Sequence, residues 1–140
     1  MTRIKQDFIS VKVAGRLNTI LSMSCTPTEN RVMLVTPKME AKVGNLIVPT
    51  TSDDNLPKKG VIVMLGEITE EYRTYKQLIS TGDIVTYGMY AGKEIDIDCE
   101  LFNKDSEEDK DILSHIDTDW KFTVLSLNEI ILVERNFKTE

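Results

Sequence analysis

The chain has 140 residues, 41% of them hydrophobic, which suits one domain with a buried core and excludes a fibrous or wholly disordered protein. A formal net charge of −6 opposes binding to phosphate backbones and anionic membrane surfaces, and no stretch reaches the roughly 20 apolar residues that a membrane span needs. Eleven acids against two lysines between Glu94 and Asp119 give that stretch −9, so the acidity belongs to one segment and the remainder is mildly basic.

Residues 1–24 read as an N-terminal extension. Ile9, Val11 and Val13 alternate as in a strand, whereas Leu17, Ile20 and Leu21 fit a helical turn, so one strand or a short helix is expected. Asp7, Lys12 and Arg16 interrupt its apolar residues, unlike a secretory signal, and place the protein in the cytosol. Its basic excess faintly resembles an organelle transit segment, but Asp7 and the strand-like run argue for a structured extension. Cys25 and Cys99 lie far apart with no second Cys or His at ligand spacing, which predicts buried thiols and neither a zinc site nor a disulfide. After Pro27, the run Asn30-Arg31-Val32-Met33-Leu34-Val35, closed by Pro37, reads as a buried strand.

Lys38 to Lys59 is too polar to bury itself and too long for an ordinary connection, yet Leu46-Ile47-Val48 sits at its centre between Gly44 and Pro49. By itself the tripeptide favours a short edge strand. The alternative is a mobile binding loop whose apolar anchor waits for a groove on a partner.

Gly60 to Gly66 is the next strand, with glycines at its corners. Glu67 to Thr81 stays open, since Tyr72, Tyr75, Leu78 and Ile79 have helical spacing while the same tyrosines and threonines suit a hairpin. Turns at Thr81-Gly82-Asp83 and Gly88 to Gly92 frame a strand at Ile84 to Tyr87, and Glu94 to Asp98 alternates like a half-exposed strand. The acidic segment from Cys99 to Asp119 is expected to stay solvated, with a short helix around Asp109 to His115. Lys121 to Leu125 and Ile130 to Val133 are closing strands joined by a turn at Ser126 to Glu129. Short strands with Gly and Pro corners predict an all-β fold, a small barrel or sandwich.

No enzyme chemistry stands out. His115 is the single histidine and lies among the acids, where a solvated surface residue is expected; no glycine-rich phosphate loop precedes a helix, and Asp105 to Asp111 lacks the ligand pattern of a calcium loop.

Five stretches, in order, resemble the GroES-type co-chaperonins, the lids of barrel chaperonins. Asn30-Arg31-Val32, three residues after Pro27, is similar to the Asp-Arg-Val that opens the family's first core strand. Val43-Gly44-Asn45-Leu46-Ile47-Val48-Pro49 is similar to the Gly-Gly-Ile-Val-Leu-Pro of its mobile loop, with Asn45 in place of the second glycine. Pro57-Lys58-Lys59-Gly60-Val61 with Leu65-Gly66 resembles the strand that leaves the loop. Gly82-Asp83-Ile84-Val85, Gly88 to Ile95 and Ile97-Asp98 form the nearest match, and Ser126 to Val133 fits the closing turn and strand. The family's glycine-rich roof hairpin is missing from Glu67 to Thr81, and the acidic segment has no counterpart. Such divergence suits a bacteriophage-encoded lid as well as a cellular one.

The resemblance implies a small GroES-like β-barrel at 25–140 with a mobile loop at 38–59 and an acidic insertion at 99–119. It also implies a homo-heptamer in which Met23, Ser24, Cys25 and Thr26 of each subunit pair with the neighbour's Ile130, Ile131, Leu132 and Val133. Gly44, Asn45, Leu46, Ile47, Val48 and Pro49 would bind a GroEL-type barrel chaperonin, and Tyr90 would face a chamber holding non-native client proteins. The lid needs no cofactor, because the partner binds the ATP. The implied setting is the cytoplasm, the host's if the lid is phage-encoded. The insertion, by analogy, would lie near the dome or outer wall and away from the partner-facing base. Rival readings are a catalytic barrel of alcohol dehydrogenase type, which lacks its nucleotide-binding half and zinc ligands here, and an OB-like nucleic-acid binder or a detached GroES-like domain without a chaperonin partner. The OB-like reading conflicts with the acidic charge and the 6% aromatic content.

Overall fold

In a computed structural model, Ser10 starts the first helix, α1 (Val11–Leu21), by accepting the Val13 N–H at 3.1 Å on its hydroxyl. The structure describes residues 8–37, 42–43, 46–47, 58–88, 90–97, 99–116 and 120–138. The strand-like alternation of Ile9, Val11 and Val13 therefore yields to a helix. Ala14, Leu17, Ile20 and Leu21 form one stripe at helical spacing and are all buried, whereas Val11 stays exposed.

The strands are β1 (Arg31–Pro37), β2 (Lys42–Val43), β3 (Leu46–Ile47), β4 (Lys58–Leu65), β5 (Ile84–Tyr87), β6 (Lys93–Ile95), β7 (Trp120–Ser126) and β8 (Ile130–Glu134). Six of them make one antiparallel sheet in the order β6-β7-β1-β4-β5-β8, and among the described residues β2 and β3 pair only with each other. The fold is all-β and GroES-like. The strand expected to reach Asp98 ends at Ile95, and β4 begins at Lys58, so the long connection between β1 and β4 covers 38–57.

Both faces of the sheet are buried. Val32 and Leu34 of β1 join Ile62, Val85, Tyr87, Leu125 and Leu127 on the inner face, and Ile130 and Val133 of β8 pack against the same cluster. Strands β7 and β8 lie far apart in the ladder yet share this cluster, so the sheet is rolled around it. The Tyr87 hydroxyl reaches Thr36 Oγ1 at 2.9 Å across the intervening β4. Met33, Val35, Val61, Val63, Met64 and Phe122 form the opposite face, and α1 lies on it. A bulge between Met33 and Leu34 sets two β4 residues, Val63 and Met64, toward the same cluster.

Asn30 knots three segments together. Its backbone is left-handed (φ 59°), its N–H donates to Glu67 O at 2.8 Å, and its carbonyl accepts the Leu127 N–H at 2.9 Å. Its side chain accepts the Thr69 N–H and donates to the Thr69 hydroxyl. Beside it, Gly66 passes so close to the Thr28 carbonyl that a Cβ there would lie 2.2 Å from the oxygen.

Glu67 to Thr81 resolves as helical, with a single 3₁₀ turn at Glu70–Tyr72 leading into α2 (Arg73–Leu78). Tyr72 and Tyr75 pack against the inner cluster, which is why the helical spacing prevails over the hairpin-like composition.

The acid cluster is solvated as expected at Glu100, Asp105, Glu107, Glu108 and Asp111, and carries the expected helix, but Asp109 and apolar residues of the segment are buried. Ser106 caps α3 (Glu107–His115), whose first turn carries Glu107, Glu108 and Asp109 where the helix dipole favours them. Phe102, Ile112 and Ile116 are buried in the same cluster as α1. His115 stacks on Trp120 with ring centroids 4.8 Å apart, so it is not simply a solvated surface residue. The cysteines also depart from expectation: Cys25 lies in the exposed segment that follows α1, and Cys99 is half-buried.

Candidate functional site

Three surfaces receive the residues singled out above. The first is the outer edge of β8. Among the described residues this strand pairs only with β5, through Val85↔Val133 and Thr86↔Leu132 among others, leaving the backbone groups of its other side without a strand partner there. Ile131 is 65% and Leu132 53% exposed there, while Ile130 and Val133 point to the inner cluster. Met23, Ser24, Cys25 and Thr26 belong to no strand, are all exposed, and lie just after α1. In the single chain their backbone is partly engaged: Met23 N–H donates to Ile20 O, and Ser24 and Cys25 N–H both donate to Leu21 O.

The second surface is the connection between β1 and β4. Its root is firm. Pro37 lies opposite Trp120, Lys58 opposite Tyr87, and Lys59 Nζ reaches Glu134 Oε1 at 2.8 Å. The Tyr87 hydroxyl, bonded to Thr36 just before the root, has its pKa pushed up by burial, which the bonds to Thr36 and Thr123 partly oppose. Within the connection, Lys42–Val43 pairs with Leu46–Ile47 as a minimal hairpin. Gly44, Asn45, Val48 and Pro49 fall outside the described residues.

The third is the turn carrying Tyr90, which is 84% exposed. The turn closes through Ala91 N–H to Gly88 O, and Gly92 follows with φ +80° against Thr123, where a Cβ would meet the Thr123 methyl at 2.8 Å.

Reading along the sequence missed the pairing of the N-terminal extension with the acidic insertion. Arg16 on α1 holds Asp109 on α3 through two bonds, Nε to Oδ1 at 2.9 Å and Nη2 to Oδ2 at 3.0 Å, and the Asn103 N–H adds a third at 2.8 Å. The Asp109 side chain is fully buried. The Arg16 bonds hold its carboxyl below the ordinary value, more than burial raises it, and the same contact raises the Arg16 guanidinium. The spacing of Asp109 and Ile112 carries the signal, since one acid shares a helical face with an apolar residue, and Ile116, just past the helix end, is buried in the same cluster as Ile112.

The register of the sheet fixes where the insertion begins and ends. It leaves the sheet after β6, where Ile95 pairs with Phe122, and returns at Trp120, opposite Pro37. It therefore emerges beside the root of the 38–57 connection and not at the far end of the sheet from it. Among the described residues, no group of three or more His, Cys, Asp or Glu is placed to hold a metal ion, and no helix is long and apolar enough to cross a membrane.

Residues 24–115 match the family described as chaperonin 10 Kd subunit. The chain belongs to this family. Among its relatives, the co-chaperonin GroES of Parabacteroides distasonis is 35% identical over 81 residues, covering 57% of this chain and 86% of the relative. The co-chaperonin GroES of Bacteroides fragilis is 32% identical over 77 residues, covering 54% and 81%. That of Pelobacter propionicus is 30% identical over 90 residues, covering 62% and 94%. The match to the chaperonin 10 Kd subunit family starts at Ser24, so α1 precedes it.

Proposed function

We propose that this chain is a co-chaperonin that caps a GroEL-type barrel chaperonin and has no catalysis of its own. Seven copies close a ring in which Met23 to Thr26 of each subunit leave the last turn of α1 and add to the outer edge of the neighbour's β8 at Ile130 to Val133. Each subunit presents the 38–59 loop to the partner, with Leu46-Ile47-Val48, flanked by Gly44, Asn45 and Pro49, entering an apolar groove on the ATP-bound chaperonin. Single contacts are weak because loop ordering costs several kcal/mol, and seven tethered contacts add up to a releasable cap. Tyr90 faces the chamber, where a non-native client folds in isolation. The partner holds the ATP, and the setting is the cytoplasm, the host's where a phage supplies the lid.

The observation that carries this reading is the placement of Leu46 and Ile47, in a family of chaperonin subunits, on a hairpin outside the main sheet. Membership alone supports the broad role, and this placement supports the mode of contact. The test is size analysis of the chain mixed with a GroEL-type chaperonin, with and without ATP. Wild type should co-elute only with nucleotide, and Ile47→Asp should lose the complex while keeping its own mass and circular dichroism, since a charge in a dry groove costs about 3 kcal/mol per site. Nucleotide-independent elution as a free species, or normal binding by Ile47→Asp, would refute the reading.

A further inference from the structure

We infer that the C-terminal tail and α1 form a relay linking the two halves of the ring interface inside each subunit, an inference that rests on the ring reading above. The tail continues directly from β8, the strand that would accept a neighbour. It does not leave the body. Arg135 Nη1 donates to Asp83 Oδ2 at 2.9 Å, tying the tail to the turn before β5. Asn136 Nδ2 donates to Ile9 O at 3.0 Å, and Lys138 Nζ donates to Phe8 O at 3.1 Å. Lys138 O in turn accepts the Val11 N–H at 2.8 Å. That N–H belongs to the first turn of α1, where no partner exists within the helix, so the tail caps the helix from outside.

At its other end α1 runs straight into Met23 to Thr26, the segment that would be donated to the next subunit. Between the two ends the helix is a rod about 16 Å long at 1.5 Å per residue, held to the sheet by Leu17, Ile20 and Leu21. The acceptor strand, tail, helix and donor segment are thus one continuous mechanical path. Donation requires the bonds from Met23, Ser24 and Cys25 back to Ile20 and Leu21 to be exchanged for bonds to the neighbouring β8 edge. A helix clamped at its start can release that last turn without coming off the sheet.

The consequence is cooperative closure. A neighbour's segment docked on β8 steadies the strand and its tail, the tail holds the start of α1, and α1 presents this subunit's own donor segment in a narrower set of orientations. Pre-ordering of this kind lowers the entropy lost in the next contact. The occupant of the β8 edge is a second copy of this chain, since the same chain carries the exposed, uncharged segment that would fill it.

The test keeps both interface strands and removes the clamp. A chain ending at Arg135, and the point variant Asn136→Ala, would be compared with the full chain by sedimentation over a wide concentration range. The concentration at which rings half-dissociate should rise by about tenfold or more for the shortened chain, reflecting the modest net worth of the lost bonds, and by less for Asn136→Ala. Hydrogen-exchange mass spectrometry of the peptide covering residues 8–14 should show more protection in the wild-type ring than in diluted monomer. An unchanged midpoint in both variants, or equal protection of that peptide in ring and monomer, would overturn the relay while leaving the ring intact. A wild-type chain that is monomeric at every concentration would instead refute the ring reading, and the relay with it. Should the shortened chain precipitate, Asn136→Ala and the exchange measurement decide.

Discussion

Arg16→Met would leave the Asp109 carboxylate buried beneath α1 with the Asn103 N–H as its main remaining support. Removing one partner of a buried pair commonly costs 3–5 kcal/mol. The lower end applies here, because the Arg16 side chain is 35% exposed and water can partly replace it, so about 3 kcal/mol is expected. Asp109→Asn keeps an acceptor for the Asn103 N–H and leaves an arginine that can turn to solvent, for a loss of about 1–2 kcal/mol. The double variant Arg16→Met/Asp109→Leu should return to within about 1 kcal/mol of wild type, since an apolar pair needs no desolvation of charge. The assay is urea unfolding at fixed protein concentration, followed by the fluorescence of Trp120, the single tryptophan, which stacks on His115 at the end of α3. The sign with pH is also fixed. In wild type the Asp109 carboxyl is depressed below its ordinary value of 3.8, so its stabilising contribution is complete above that value and disappears as pH falls through the lower folded value. In Arg16→Met burial acts without the guanidinium, and acidification relieves the penalty because the neutral acid is easier to bury. If both single variants lay within about 0.5 kcal/mol of wild type, the ion pair would be no more than a surface contact.

Two further outcomes follow from packing. Gly66→Ala should cost several kcal/mol or prevent folding, because its Cβ would meet the backbone carbonyls of Thr28 at 2.2 Å and Pro27 at 2.8 Å, and neither can move without disturbing the Asn30 knot; thermal unfolding checks this, and an unchanged midpoint would show the approach to be looser. Replacing residues 101–118 by a short Gly-Ser linker should expose Met33, Val35 and Phe122 beside α1 and lower stability sharply, with increased dye binding to apolar surface. A linker variant as stable as wild type would restore the view of the insertion as a detachable elaboration.

The sequence by itself determined the strands and the order of the chain. Val32 to Val35, Gly60 to Leu65, Ile84 to Tyr87 and Phe122 to Leu125 are short apolar runs bounded by turn residues, and local chemistry of that kind carries strand identity. It also picked out the apolar Leu46 and Ile47 within an otherwise polar connection, and the edge strand at Ile130 to Val133. Alternation misled at Ile9 to Val13, where three residues are too few to outweigh a Ser10 cap and a longer helical stripe. What only the tertiary structure decided is which faces meet. Arg16 and Asp109 are 93 residues apart, and nothing local to either indicates that one cancels the other's burial cost. The acidic run read as solvated because charge density is a property of the segment, whereas burial depends on the single helical face that carries Asp109 and Ile112 and on Ile116 just beyond it. Its place beside the root of the 38–57 connection came from the register of β7 on β1, a long-range pairing that fixes position only once the strands are side by side.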